Sequence, residues 1–186
     1  YYLATFTSFH AQNDRQLLNF IATRDALSVA RLVANFVRNE EEHRLEVRLI
    51  QDSNGNGGAR QRKEVLLDGV KTPPSRAVGY FNAVIFLPQM TRILEGGPEE
   101  RRRYLNLCIA QAAAGYSQAL TDYSQAITQR NALLKMLNER GGDPSQLDYW
   151  DELVTNRGAL IMHTRIRAIR ELEQQAKRVH DKLTGG

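Results

Sequence analysis

Residues 116–183 constrain the fold most, because a helical apolar stripe runs through them, breaks once and resumes. Tyr116, Leu120, Tyr123, Ile127, Arg130, Leu134 and Leu137 recur in strict 4-3-4-3 spacing, the seam of a helix packed on a partner helix. Gly141-Gly142-Asp143-Pro144-Ser145 interrupts the stripe, since paired glycines followed by proline cannot carry a helix onward. A second stripe then runs from about Leu147 to Leu183, through Trp150, Val154, Ile161, Ile166, Ile169, Leu172, Ala176, Val179 and Leu183. Two long amphipathic helices joined by so tight a turn form an antiparallel hairpin. The second half of the chain therefore reads as a helical arm with its turn near 139–146.

The seam of the first of these helices carries a charge. Arg130 lies between Ile127 and Leu134, where a guanidinium needs a partner to offset its desolvation. Counting back from the glycine turn, the opposing helix offers Asp151, Glu152 or Thr155. A partly buried network of Arg130 with Asp151 or Glu152 is expected to fix the register of the hairpin, a structural role.

Upstream the periodicity changes from helical to alternating. The opening Tyr1–Phe9 reads as the tail of a helix with no capping residue ahead of it, and Asn13–Ile21 as a short helix. Ser28–Arg38 alternates in part, and His43–Gln51 alternates cleanly, with Leu45, Val47 and Leu49 opposite Arg44, Glu46 and Arg48. Period two of this kind marks a half-buried strand. Asp52–Gly58 reads as a turn or loop, Lys63–Leu67 as a third strand, and Asp68-Gly69 as a hairpin signal. An antiparallel meander with one wet face follows. Asn82–Leu87 is short, apolar and β-prone, and is expected to be a buried strand that stops at Pro88. Beyond it a helix starts at Pro98, with Glu99 and Glu100 at its positive dipole end.

At 186 residues the chain can bury a real core, and no apolar run approaches the roughly 20 residues needed to span a bilayer. No signal peptide is visible, and the start is not an initiator methionine. The lone Cys108 excludes an internal disulfide, fits a reducing compartment and reads as a small core residue. His10, His43, His163 and His180 are scattered without zinc spacing, and no Ser-His-Asp or Cys-His set stands out. No metal site and no independent catalysis are expected.

The net charge of +4 is mildly basic and mostly arginine, the cation suited to bidentate phosphate contacts. Arg101, Arg102 and Arg103 fan around a helix start beside Glu99 and Glu100, and can either face DNA or brace the fold. Arg165, Arg167, Arg170, Lys177 and Arg178 line the last helix, interleaved with Glu171, Glu173 and Asp181. That face reads either as solvated ion pairs or as a DNA-contacting arm. Arg101, Arg102, Arg165 and Arg170 are the candidate DNA contacts.

Residues 86–134 contain Phe86-Leu87-Pro88-Gln89-Met90, then Gly97-Pro98-Glu99-Glu100-Arg101-Arg102-Arg103-Tyr104-Leu105-Asn106, then Gln129-Arg130-Asn131-Ala132-Leu133. Their spacing resembles the RecF family of bacterial recombination and repair proteins, in which F-x-P-E-x is followed by G-x-P-x-x-R-R-x-F-L-D and Q-R-N-x-L. Tyr149-Trp150-Asp151-Glu152-Leu153 is similar to the family's W-D-x-x-L, and Tyr1-Tyr2-Leu3-Ala4 to the end of its P-loop helix. The resemblance covers essentially the whole chain, which would be a central piece of a longer protein. It implies an α+β fold: residues 1–88 as part of an ABC-type ATPase lobe, with an antiparallel meander, and 89–186 as the helical arm domain.

By the same resemblance, the full-length protein is a cytoplasmic bacterial, SMC-like ABC ATPase of DNA repair, recombination, replication and the SOS response. It would bind ATP and Mg2+, dimerise around ATP, engage duplex DNA near single-strand gaps, and help load recombinase with RecO- and RecR-type partners. Gln89, where the family has glutamate, would sense the γ-phosphate and magnesium or merely cap the following helix. The family's G-R-S-F-R reads Phe6-Thr7-Ser8-Phe9-His10 here, without its arginines. No G-x-x-x-x-G-K-[ST] occurs in the chain, and no ABC signature or strand-ending acidic residue is recognisable. The chain as given is therefore expected to be no enzyme and to need no cofactor of its own. The competing reading is a helical-hairpin interaction module of another SMC- or ABC-like protein, with no DNA-binding role.

Overall fold

The computed structural model describes residues 1–185 except 9–10, 12, 20–26, 55–57, 88–89 and 91, and gives only the backbone at 53–54, 58–59, 92 and 94. The chain divides into two compact units, Tyr1–Gly97 and Pro98–Gly186. The fold is α+β: a four-stranded antiparallel sheet followed by helices, the last of them long.

The first unit is organised by strands β1 (Leu27–Arg38), β2 (Glu41–Asn54), β3 (Gly58–Leu67) and β4 (Val70–Lys71), in the order β1-β2-β3-β4. The β1–β2 turn consists of Asn39 and Glu40, both at positive φ, the backbone that matches the twist of a two-residue hairpin. Period two then sorts the sheet into faces. Leu45, Val47 and Leu49 stand opposite Leu67, Val65 and Lys63 of β3 and bury completely with Val65, Phe6, Leu18 and Ala77. Each such aliphatic side chain contributes about 1.5–3 kcal/mol by leaving water. The opening helix α1 (Tyr2–Thr5) ends at Phe6 in the left-handed region. It is tied to the sheet by Lys63, whose Nζ donates to Phe6 O at 2.9 Å and pairs with Asp14 at 2.8 Å. The Tyr2 hydroxyl donates to the same carboxylate at 2.8 Å.

Several expectations for this unit are corrected. Asn82–Leu87 forms no strand, and Val84 (101% exposed) and Phe86 (84%) are not buried. β-propensity alone builds nothing without a neighbouring ladder, and among the described residues no strand pairs with this segment. The expected helix at Asn13–Ile21 reduces to a 3-10 turn at Asp14–Leu17, with Leu18 already extended; Phe20 and Ile21 fall outside the described residues. The opening helix stops at Thr5 rather than continuing to Phe9. Strands β2 and β3 run three and five residues further toward their connection than composition suggested, as far as the Asn54–Gly58 pair. Ladder pairing there overrides the turn preference of Asn and Gly. Two short helices, α2 (Pro74–Ala77) and α3 (Arg92–Glu95), complete the unit.

The second unit contains α4 (Pro98–Ala112), α5 (Tyr116–Arg140) and α6 (Asp148–Thr184). Helix α5 ends at Gly141, whose φ of 73° lets its N–H reach Leu137 O at 2.9 Å. The Asp143 carboxylate accepts the Ser145 N–H at 2.9 Å and so starts a 3-10 turn that leads into α6. At Gly158 of α6 a Cβ would stand 3.2 Å from the Tyr123 ring of α5. Ile109, Tyr116, Ala119 and Ile161 form the core of the unit. The expected seam of α5 is half-buried along most of its length, with Leu134 more exposed. The expected stripe of α6 holds only as far as Ile161, since Ile166, Ile169, Leu172, Val179 and Leu183 are exposed. Helix α5 pairs with the first half of α6 and is too short to cover the rest.

Candidate nucleic-acid interface

In the helical unit most of the polar side chains with mapped partners face other side chains of the same unit. Arg130 Nε donates to the Asp151 carboxylate across the α5–α6 seam, and this contact raises the guanidinium pKa further. Glu152, the neighbouring candidate, is exposed. Immediately beside the Gly158–Tyr123 contact, Arg157 Nε lies 3.1 Å from Asp122 Oδ2, off the line of its N–H. Deeper still, Arg165 donates from Nε to the Tyr116 hydroxyl at 3.0 Å and from Nη2 to Asn106 Oδ1 at 2.9 Å. The Tyr116 hydroxyl itself donates to Asn106 at 2.9 Å. This closed triangle joins α4, α5 and α6 around a fully buried tyrosine. Asn106 is the partner that spacing on two helices could not reveal, because it belongs to a third.

The candidate DNA contacts thus separate. Arg165 is occupied internally, and Arg102 is paired with Glu99 on its own helix. Arg101 and Arg170 are exposed, and Arg167 pairs loosely with Glu171 at 4.0 Å. Gln89 lies outside the described residues. Among the described residues no three His, Cys, Asp or Glu side chains converge as a metal site. No described helix is long and apolar enough to cross a membrane.

The sheet carries a denser arrangement on its outward face. Glu46 points away from the apolar core, yet is only 5% exposed, because three arginines cover it. Arg31 donates to it bidentately at 2.8 Å and 2.8 Å, Arg48 Nε donates at 2.6 Å, and Arg44 Nη2 at 3.5 Å. Arg31 and Arg48 are direct cross-strand partners, a like-charge pairing that opposes folding unless an anion lies between them. Hydrogen bonds from Arg31 and then Arg48 bring the Glu46 pKa down to about 2. Beside this group Glu64 pairs with Lys71 at 2.9 Å. Lys71 chiefly, with the nearby charges of Arg62 and Arg48, holds the Glu64 carboxyl below its ordinary range. The clean alternation of His43–Gln51 already put Arg44, Glu46 and Arg48 on one face. The missing signal was the strand register that brings Arg31 of β1 over the same carboxylate.

At the other end of the β1–β2 hairpin, Asp68 joins His43 and the Arg44 backbone. His43 Nδ1 lies 2.8 Å from Asp68 Oδ2, and the Arg44 N–H donates to Oδ1 at 2.7 Å. Phe36 and Tyr80 flank the imidazole. This cluster locks the strand ends and borders a shallow hollow of about 440 Å3.

Comparison with known proteins gives a consistent result. The chain is 31% identical over 193 residues to a protein described as "DNA replication and repair protein RecF" from Herpetosiphon aurantiacus, covering 100% of this chain and 50% of that relative. It is 32% identical over 195 residues to the protein so described from Chloroflexus aggregans, and 33% over 197 residues to that from Roseiflexus castenholzii, with the same coverage. The chain spans about half the length of the curated relatives it matches. No family model matches it.

Proposed function

Because the chain is homologous from end to end with RecF proteins, over about half of their length, we propose that it is a working segment of a DNA replication and repair ATPase. That end-to-end correspondence is the observation that carries the reading. In the full-length protein, ATP with magnesium would close a homodimer, and the dimer would engage duplex DNA near single-strand gaps. It would then help load recombinase there, together with RecO- and RecR-type partners. The sheet unit is the remnant of the ATPase lobe, and Gln89 at the junction is the candidate sensor of the γ-phosphate. The hydrolytic machinery comes from elsewhere in the protein.

The helical unit serves chiefly as a braced arm. Four of its arginines, Arg130, Arg157, Arg165 and Arg102, are committed to Asp151, Asp122, Asn106 and Glu99. The exposed apolar stripe from Ile166 to Leu183 supports a second role for this unit, as a protein-contacting module with no DNA contact of its own.

The reading is tested by titrating labelled gapped and continuous duplex DNA with the full-length protein, with ATP, with ADP and without nucleotide. Tighter binding with ATP and a preference for the gapped duplex are expected. Binding indifferent to nucleotide and to the gap would overturn it.

A further inference from the structure

The outward face of the sheet has a charge pattern that folding does not require. Arg31, Arg44, Arg48, Arg60, Arg62 and Lys71 share this face with four carboxylates, of which Glu46 and Glu64 lie among the arginines and Glu42 and Asp52 toward the two ends of β2. A single buried carboxylate satisfies one arginine; three arginines around Glu46 leave local positive charge in excess. The guanidinium groups are also half in water, with side-chain exposures of 53% for Arg31, 49% for Arg44 and 40% for Arg48. Each guanidinium has five N–H donors. Arg31 directs two of them to Glu46, while Arg44 and Arg48 direct one each. Glu46 thereby acts as a buried strut that holds the forks in place and leaves their outer donors facing solvent. Prearranged forks of this kind suit phosphate oxygens, since less side-chain entropy is lost on contact.

Among the described residues of the strands, the same face offers valines and leucines but no aromatic ring. Val29 and Val33 lie beside the arginines, Leu27 and Val37 are exposed toward the two ends of β1, and Ile50 on the same face is buried. Single-stranded nucleic acid is typically gripped by stacking its bases on aromatic side chains, which this surface lacks. Its chemistry is that of sequence-independent contact with a phosphate backbone.

We propose that the outward face of the β1–β2–β3 sheet, centred on Arg31, Arg44 and Arg48 over Glu46, is a docking surface for the phosphodiester backbone of duplex DNA. The proposal deepens the DNA reading given above and rests on it. It moves the phosphate contacts of this chain from the arm to the sheet.

The test is fluorescence anisotropy of the chain with labelled duplex DNA across a salt series. Arg31→Gln and Arg44→Gln should each make the log-log salt slope shallower by about 0.9, the loss of one phosphate contact, and weaken binding several-fold at low salt. Arg31→Lys should restore the slope, and Arg140→Gln at the hairpin tip should leave it unchanged. Wild-type slopes in both sheet variants would overturn the proposal. So would a wild-type chain that ignores duplex DNA at 50 mM salt, whether or not it binds polyglutamate as a stand-in for an acidic protein partner. In either case ATP-dependent DNA binding by the full-length protein judges the broader reading separately. Should the variants fail to fold, protection of Arg31, Arg44 and Arg48 from phenylglyoxal by duplex DNA decides for the wild type: protection supports the site, and unchanged modification overturns it.

Discussion

Glu46 is the side chain on which the sheet's outer face depends, and its behaviour with pH follows from its partners. Its folded pKa of about 2 lies below its ordinary value of 4.5, so folding favours the ionised form. The resulting stability is fully present above about pH 4.5 and is lost as the pH falls toward 2. Urea melts of wild type and Glu46→Gln should therefore differ most at neutral pH and converge below pH 3. A constant gap across this range would show that the arginines do not hold the carboxylate. Tyr116 makes a second prediction at this scale. Its buried hydroxyl both donates to Asn106 and accepts from Arg165, so Tyr116→Phe keeps the ring but strips both polar neighbours of a partner. A loss of about 1–3 kcal/mol is expected in denaturant unfolding, with little change in helix content by circular dichroism.

Among the elements, the α5–α6 hairpin was the most legible from sequence and the segment after the sheet the least. The 4-3 stripe and the Gly141–Ser145 break specify two helices and their turn, because helix packing is written in local periodicity. Asn82–Leu87 misled because a strand also needs a partner, and local composition says nothing about neighbours. Arg31 over Glu46 and Asn106 under Tyr116 were illegible for the same reason, since both pairings cross between elements whose register only tertiary structure sets. At Gly158 the helices come close enough that a larger side chain must displace the Tyr123 ring. Gly158→Leu should therefore lower the melting temperature of the helical unit even though leucine is the better helix former. An unchanged or higher midpoint would mean that the helices are not tightly apposed there. A double-mutant cycle on Arg130 and Asp151 should likewise show coupling that the Arg130–Glu152 cycle lacks.

At the scale of the whole molecule, two units with separate cores differ in how fully they are packed. The sheet buries a continuous apolar layer, whereas α6 runs on past its partners with an exposed stripe. Amide hydrogen exchange should therefore be slow in β2 and in residues 148–165 of α6, and fast in residues 170–184. Equal protection along α6 would point to a partner covering its second half. The overall charge of +4 is too small to say where DNA sits; the sheet register is what gathers arginines onto one face. The most direct measurement is the salt dependence of duplex DNA binding by the wild-type chain. Three arginine–phosphate contacts predict a log-log slope of about −2.7 or steeper, at roughly −0.9 per contact. A slope near zero, or no binding at 50 mM salt, would contradict the claim that this chain presents a phosphate-binding face.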